Sequence, residues 1–415
     1  MEQGRVLVPM RAIFESLGAE IVWDEATRAV TAIKGGTTVK LTIGARTAYH
    51  NETPVALEVP PVIKNGRTLV PLHFVSEALG AGTYWDGKTQ TVRIVTALFP
   101  VIKNGKWGFI DASGALVISP QFDEPRLGFK EGLALVRVEG RPVFIDLSGK
   151  TAISLSRSLE CNSYFAEGLA VVVDVSDPAR GHVSGYIDKT GKVAIPLQFE
   201  EATEFSEGLA AVKIGGKWGY IDLTGKEIIP PQFIYAWPFS GGVARVAVTT
   251  AIPGHEGEER WKHGYIDKTG RYIVEPELEE AYDFSEGLAF VAVDGKRGYI
   301  DTTGEMVLET RLGPGIFSEG LAPVDVEGWK FGYINKAGEV VIPPSFRGAY
   351  PFSEGVALVY VNEKKWGFID KTGDFVIAPH FLAAGSFSGG LAVVYTEEGM
   401  GYIDKTGSYV WAPQL

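Results

Sequence analysis

The chain has 415 residues, room for two or three domains, and its 45% hydrophobic and 22% charged content is that of a globular protein. No apolar run approaches the roughly 18 residues a membrane helix needs, and the single cysteine, Cys161, excludes a disulfide framework and a cysteine-rich metal site. The formal charge of −12 is uneven: residues 1–95 hold 10 basic and 9 acidic side chains, leaving 29 against 42 for residues 96–415, an acidic balance that repels phosphate backbones and argues against nucleic-acid binding.

In chain order, residues 4–33 (GRVLVPMRAIFESLGAEIVWDEATRAVTAI) realign with residues 66–95 (GRTLVPLHFVSEALGAGTYWDGKTQTVRIV) at an offset of 62, with 13 identities in 30. Each copy reads as a short strand, a short amphipathic helix and a hairpin. Pro9 and Pro71 fall where a first helical turn tolerates proline. Ile13 and Leu17, then Val75 and Leu79, are four apart and form one apolar stripe per helix. Gly18 and Gly80 are placed as C-caps, and Trp23-Asp24 and Trp85-Asp86 lead into hairpins at Thr27 and Thr89.

These two LVP…LGA…WD copies resemble the copper amine oxidase N-terminal-like domain, found on surface proteins of Gram-positive spore-formers. The second copy is preceded by PPVIKNGR at 60–67, whereas the first begins at MEQGR without a PPVI strand. The expectation is that the first repeat is truncated and that any signal peptide was lost with its start. The resemblance to an enzyme's domain does not bring the enzyme's chemistry. Copper amine oxidase catalysis requires an Asn-Tyr-Asp/Glu stretch and three copper-binding histidines. No Asn-Tyr pair occurs, and His50, His73, His182, His255, His263 and His380 are scattered without a His-x-His pair. The sequence therefore calls for no metal and no cofactor.

From residue 97 one phrase recurs nine times, as in GKWGYIDLTGKEIIPPQF at 216–233. Its central isoleucine stands at Ile110, Ile145, Ile187, Ile221, Ile266, Ile300, Ile334, Ile369 and Ile403, in steps of 34, 35, 42 or 45 residues. A period of this size marks repeats that bury their faces against one another. The residue before each isoleucine is aromatic, from Phe109 to Tyr402. Neighbouring strand residues point to opposite faces, so both faces of each sheet must be covered and the sheets must stack. Asp (Asn335 in one unit) follows each isoleucine, and Gly stands three positions later. That spacing predicts a hairpin in which Asp caps a type I turn and Gly takes positive φ. The returning strand, VIPPQF-like, carries prolines suited to an edge.

A second phrase, FSEGLA, precedes eight of these hairpins and opens another strand, such as LAAVKI at 209–214. One unit is thus expected to be a three-stranded antiparallel meander followed by a crossing segment. The pattern over residues 98–415 resembles the WG-repeat (KWG-repeat) family of bacterial proteins. The eponymous Trp occurs only at Trp107, Trp218 and Trp366, and Pro142, Ser184, His263, Arg297, Phe331 and Met400 take its place elsewhere. A position accepting Arg, Ser and Trp cannot be deeply buried in every unit.

Both long steps place their insertions in the same hairpin: DVSDPARGHVS at 174–184 and TTAIPGHEGEERWKH at 249–263. Loops that grow on one edge of an array often form its working surface, which nominates His255, Glu256, Glu258, Glu259, Arg260 and Trp261 as binding residues. Nothing suggests a catalytic site. The turn Asp supplies too few oxygens for calcium. A carboxylate repeated in most units, as in FSEG, is scaffold rather than a catalytic pair, and the serine beside it has no local histidine as base. Cys161 reads as a small buried hydrophobe, and no phosphate-binding glycine loop is present.

The expected fold is mainly β: a small α+β domain over 1–96, then nine meanders over 97–415, as an open superhelical solenoid in preference to a closed propeller-like ring. The expected function is that of a non-catalytic, monomeric cell-surface or secreted protein. Its N-terminal domain would tether it to the envelope, and its array would contact a protein or a cell-wall glycan. The alternatives are an intracellular interaction scaffold and, less favoured, an enzyme.

Overall fold

The computed structural model describes residues 7–414 apart from 18, 35–36, 51–52, 73, 76–81, 87–90, 96, 127, 177–180, 252–258, 326–329 and 362–364. In the N-terminal domain the first copy forms the expected strand, helix and hairpin: Leu7–Pro9, Met10–Ser16, then Glu20–Asp24 with Ala29–Lys34. Three further strands extend that hairpin to a five-stranded sheet. The two LVP strands pair antiparallel, Val8 opposite Val70, so the copies are locked to each other. Phe14, Leu17, Val30, Val39, Leu41, Val70 and Val75 form the core, with Ile13 packed against it. Gly18, Leu79 and Gly80 lie outside the described residues.

The described residues of 97–414 form nine small antiparallel sheets, one per repeat. We number these blades in chain order: 99–122, 124–154, 159–199, 201–233, 235–278, 280–309, 321–346, 348–381 and 383–414. The expected meander is present in every blade. The crossing segment is more than a connection, however. In all blades except the first and seventh it pairs beside the FSEGLA-derived strand, giving strand order A-B-C-D, with A usually two residues long. In blade 4 these are Glu201–Ala202, Leu209–Ile214, Lys217–Asp222 and Glu227–Phe233.

Stacking of the two faces follows the predicted alternation. The Tyr220 face of blade 4 packs on the Ala244, Val246 and Ile266 face of blade 5. At each step the aromatic before the isoleucine meets the FSEG phenylalanine of the next blade. The centroid distance is 5.1 Å for Phe109–Phe129, 4.9 Å for Tyr186–Phe205 and 5.0 Å for Tyr220–Phe239. Edge-to-face pairs of this kind add about 0.5–1.5 kcal/mol beyond burial. Buried tyrosine hydroxyls donate to the next blade's backbone, as Tyr186 to the Thr203 carbonyl at 2.8 Å and Tyr220 to the Trp237 carbonyl at 2.7 Å.

The last blade also packs on the first, through that blade's first strand where an FSEG turn serves at the other steps, which corrects the expectation of an open solenoid. Tyr402 of blade 9 lies 5.4 Å from Phe99 of blade 1, and its hydroxyl donates to the Pro100 carbonyl at 3.0 Å. Phe99, Val101 and Ile110 share one core with Leu391 and Tyr402. The turn glycines tell the same story: a Cβ on Gly225 would strike Ile195 of the preceding blade, and one on Gly114 of blade 1 would strike Val410 of blade 9. A superhelix would carry unit nine away from unit one. A closed nine-bladed ring brings them together, because it leaves no blade with an uncovered apolar face.

The FSEG edge faces the ring axis. Copies of one element touch each other only where blades converge, and here Ser206 Oγ donates to the Phe239 carbonyl at 2.7 Å, as do Ser285 to Phe317 and Ser353 to Phe387. Lys130 of blade 2 even reaches Glu204 of blade 4, at 3.6 Å. At this edge Glu and Gly both take positive φ, +55° at Glu207 and +87° at Gly208, closing a tight two-residue turn between Ser206 and Leu209.

The glutamate pays for that conformation by clamping the next blade. Glu207 accepts the Gly241 and Gly242 amides at 2.6 and 2.9 Å and pairs with Lys268 at 3.2 Å, while Lys268 also donates to the Glu207 carbonyl. The same clamp joins Glu131 to Lys189, Glu286 to Lys336, Glu319 to Lys371 and Glu354 to Lys405. Where the preceding blade lacks the glutamate, the lysine is missing from the sequence too: the clamp positions hold Gly241 and Thr302 at blades 5 and 6, and Gly389 and Ala112 at blades 9 and 1. In the same register Glu167 is matched with Leu223 in place of a lysine, and the Leu223 side chain is exposed.

Other expectations hold in detail. The turn Asp is a cap: Asp222 accepts the Thr224 amide and hydroxyl and the Lys226 amide. Thr224's hydroxyl bond, chiefly, holds the Asp222 carboxyl below its ordinary value. Cys161 is buried, its thiol pushed up to about 11 by burial. The W position is buried at Pro142, Ser184 and Trp218 and half-buried in the other six blades.

Two outcomes follow. Leu223→Lys completes the missing clamp, so thermal unfolding should show a gain of about 0.2–1 kcal/mol; no gain would mean the pairing is incidental. For Glu207, burial raises the pKa, but the Gly242 amide, the Lys268 ammonium and the Gly241 amide outweigh it and leave the carboxyl below 4.5. A carboxylate depressed in the folded state contributes stability above its unfolded pKa and loses it as pH falls through the folded one. The melting temperature should therefore hold steady down to pH about 4.5 and drop below it, as Glu207, Glu286 and the turn Asp residues protonate.

Candidate binding surface

Blade 5 departs from the others in its B–C hairpin. Strands Val243–Ala251 and Glu259–Asp267 are nine residues each, in register from Val243 opposite Asp267 to Ala251 opposite Glu259. The described residues of the insertion, 249–251 and 259–263, are thus strand, where a loop was expected. Of the nominated residues, His255, Glu256 and Glu258 lie outside the described residues, and Glu259 is placed only by its backbone. Arg260 is exposed, and Trp261 is exposed by 53%.

Trp261 is not isolated. Its ring stacks on Tyr235 with centroids 6.3 Å apart and planes 27° apart. Tyr235 also touches Trp218 at 5.2 Å and Trp237 at 4.4 Å, and Trp237 lies 5.7 Å from His263. Strand alternation puts Trp261 and His263 on one face of the hairpin, and the crossing segment into blade 5 brings Tyr235 and Trp237 to meet them. Three of the chain's nine tryptophans converge in this cluster.

Charged groups hold the cluster in place. The Arg245 guanidinium lies 3.7 Å from the Trp237 ring centroid, pairs with Asp283 at 3.0 Å and donates to the Ala281 carbonyl at 2.6 Å. Cation–π stacking of this kind contributes about 0.5–1 kcal/mol when exposed and more when desolvated. Lys262 is buried on the opposite face and donates to the Glu277 carbonyl at 2.7 Å and to Glu279 at 3.2 Å. Burial, and then the charge of Arg245, lower the pKa of His263, and its Nδ1 is buried without a hydrogen bond. The histidine is therefore a neutral packing group. Among the described residues no group of three His, Cys, Asp or Glu is placed to hold a metal ion.

What the cluster offers is an amphipathic ledge: an exposed indole backed by a tyrosine ring inclined 27° to it. Tyr, Trp and Arg are the residues that carry most binding energy at interfaces. Sequence reasoning nominated Trp261 and Arg260 and missed Tyr235, Trp237 and Arg245. A signal was present, since IYAWPFS at 234–240 stands where the preceding repeat has EEATEFS at 200–206 and the following one has EEAYDFS at 279–285.

Comparison with known proteins places both regions. A family model for the copper amine oxidase N-terminal domain matches residues 1–94, and one for the WG containing repeat matches 107–141, 185–218, 218–248, 264–296, 331–364 and 366–398. The chain is a WG-repeat protein with a copper amine oxidase N-terminal domain. Its similarity to curated proteins is confined to short stretches. This WG-repeat protein is 34% identical over 76 residues to the primary amine oxidase of Klebsiella aerogenes, 18% of the chain and 10% of that enzyme. It is 35% identical over 79 residues to a protease inhibitor of Brevibacillus choshinensis, 19% of the chain and 24% of the inhibitor. The aligned part thus spans under a quarter of the length of each. Among solved structures, the crystal structure of a eukaryotic initiation factor aligns with a TM-score of 0.54 at 12% identity, over 75% of this chain and 94% of that one, a likeness of fold alone.

Arg245→Ala should cost about 1–2 kcal/mol of stability by removing the stacked cation and its ion pair. It should also raise the His263 pKa toward 6.5, since the Arg245 charge is part of what lowers it. Titration of the His263 ring protons by NMR reads this directly; an unchanged pKa would show that burial alone sets it.

Proposed function

We propose that this WG-repeat protein is a non-catalytic binding protein of the cell surface or exterior. In this reading the N-terminal domain tethers it to the envelope, and the ring presents the blade 5 ledge to a protein or a cell-wall glycan. The single observation that carries the binding role is the 53% exposed Trp261 seated on Tyr235, on the hairpin of blade 5 whose strands run nine residues each among the described residues. An exposed indole adjoining further aromatic rings is the composition that interfaces favour. A non-catalytic role is supported by the use made of the recurring polar groups: the turn Asp carboxylates cap turns and the FSEG glutamates clamp blades. It is supported as well by the matched N-terminal domain amounting to a tenth of the amine oxidase.

The test is cosedimentation of the full chain with purified cell-wall sacculi, alongside affinity capture from a lysate of soluble proteins, using the native chain and Trp261→Ala. Pelleting with sacculi supports the envelope assignment, and loss of retention of either kind in the variant supports the ledge. Absence of pelleting would sink the tether, and unchanged retention of Trp261→Ala would sink the ledge as the contact surface.

A further inference from the structure

In an ordinary blade the D strand covers the C strand almost to its start. In blade 4 Trp218 pairs with Phe233, leaving only Lys217 beyond it. In blade 5 His263 pairs with Leu278, the last residue of its D strand, so the backbone of residues 259–262 runs on with no strand on that side among the described residues. Four residues of strand span about 13 Å. Their outward amide and carbonyl groups form an open ladder, the template on which a further strand adds.

The surroundings of this edge specify what would add. A strand laid on 259–262 continues the line of Tyr272–Leu278, so its near end abuts the segment YIVEPELEEAYD at 272–283, which holds five acidic residues and no basic one. Glu279, Glu280 and Asp283 are paired with Lys262, Arg297 and Arg245. Glu275 and Glu277 are exposed beside them. On the hairpin's aromatic face a side chain of the added strand meets Trp261, whose ring can cover an aliphatic stem or a cation.

We propose that the open edge at residues 259–262 of blade 5 takes an extended, lysine- or arginine-bearing segment of another protein as an added strand, with Trp261 and Tyr235 as its aromatic seat. This rests on the ledge being a binding surface and names its partner class. A backbone ladder selects a peptide over a glycan, because only a peptide offers alternating amides and carbonyls at strand spacing. Lysines at alternate positions place their charges on the side of Glu275 and Glu277, and the segment's other face stays free for apolar contact with the indole.

The test uses the full chain and a synthetic decapeptide of alternating lysine and valine. The controls are its glutamate–valine counterpart, the lysine peptide N-methylated at alternate amides in each of the two registers, and a hexamer of N-acetylglucosamine. Binding is read by calorimetry and by tryptophan fluorescence. The expected result is saturable binding of the lysine peptide, weakened at least about tenfold by Trp261→Ala, by Glu275→Gln with Glu277→Gln, and by N-methylation in one register only. Equal binding of both N-methylated peptides and the parent would overturn the added strand. Preference for the glutamate peptide, or Trp261-dependent binding of the saccharide alone, would overturn the partner class while leaving the ledge a binding surface. No binding of any probe also overturns it, and the sacculus and lysate experiments then judge the ledge by themselves.

Discussion

Every blade depends on one constraint: a meander with an aromatic on one face and an isoleucine on the other has two apolar faces and no means of covering either. Stacking supplies the cover, and each stack is keyed by an aromatic pair such as Tyr220–Phe239 at 5.0 Å. A linear stack would leave two terminal faces in water, or would need polar end units. Neither end blade here is polar on its outer side. Phe99, Ile110 and Leu391 are buried, and they are buried against each other. Closure therefore follows from the same apolar alternation that builds a single blade.

The clamp adds direction to this packing. Each Glu-Gly turn hands its carboxylate to the following blade's amides and lysine, so polar contacts run one way around the ring. The lysine tracks the glutamate of its neighbour and not that of its own repeat: blade 6 has Glu286 but carries Thr302, since blade 5 offers only Gly241. The seam lacks the clamp, as does the step from blade 5 to blade 6, and unlike the other steps it has no crossing segment joining its two blades. Blades 9 and 1 meet through the Phe99–Tyr402 pair, the Tyr402 hydroxyl and the Gly114–Val410 contact, without a glutamate clamp. Local opening, where it happens, belongs at that seam, since stability in repeat arrays is shared out interface by interface.

Much of this was legible in the residues. The Asp-x-x-Gly hairpins, the two-faced strands and the doubled N-terminal domain all announce themselves through period and turn chemistry, because those features are local. Two features were not. Ring against solenoid depends on the small rotation between neighbours, which no motif encodes; the cyclic match of Ala112 with Gly389 carries a trace of it only once the interfaces are known. The A strand was hidden because two residues are too few to show alternation. At the candidate site, Trp261 was visible as an exposed-looking residue in an insertion. Its partners Tyr235, Trp237 and Arg245 come from the crossing segment and the B strand and meet it only in three dimensions.

A rigid ring explains why one hairpin can serve as a working surface. Blade 5 is held on both sides by aromatic pairs, so lengthening its B–C hairpin changes no interface, and Trp261 projects from a fixed base. The account stands or falls on closure. With Cys161 replaced by alanine, nitroxide labels on cysteines substituted for Ala112 and Lys405, the equivalent turn positions of blades 1 and 9, report their separation by electron–electron double resonance. A closed ring predicts a distance matching that between labels at Ala112 and Leu147 of adjacent blades, and shorter than that from Ala112 to Lys268 in blade 5. A distance from Ala112 to Lys405 that exceeds every other pair would mean an open stack and would contradict the account.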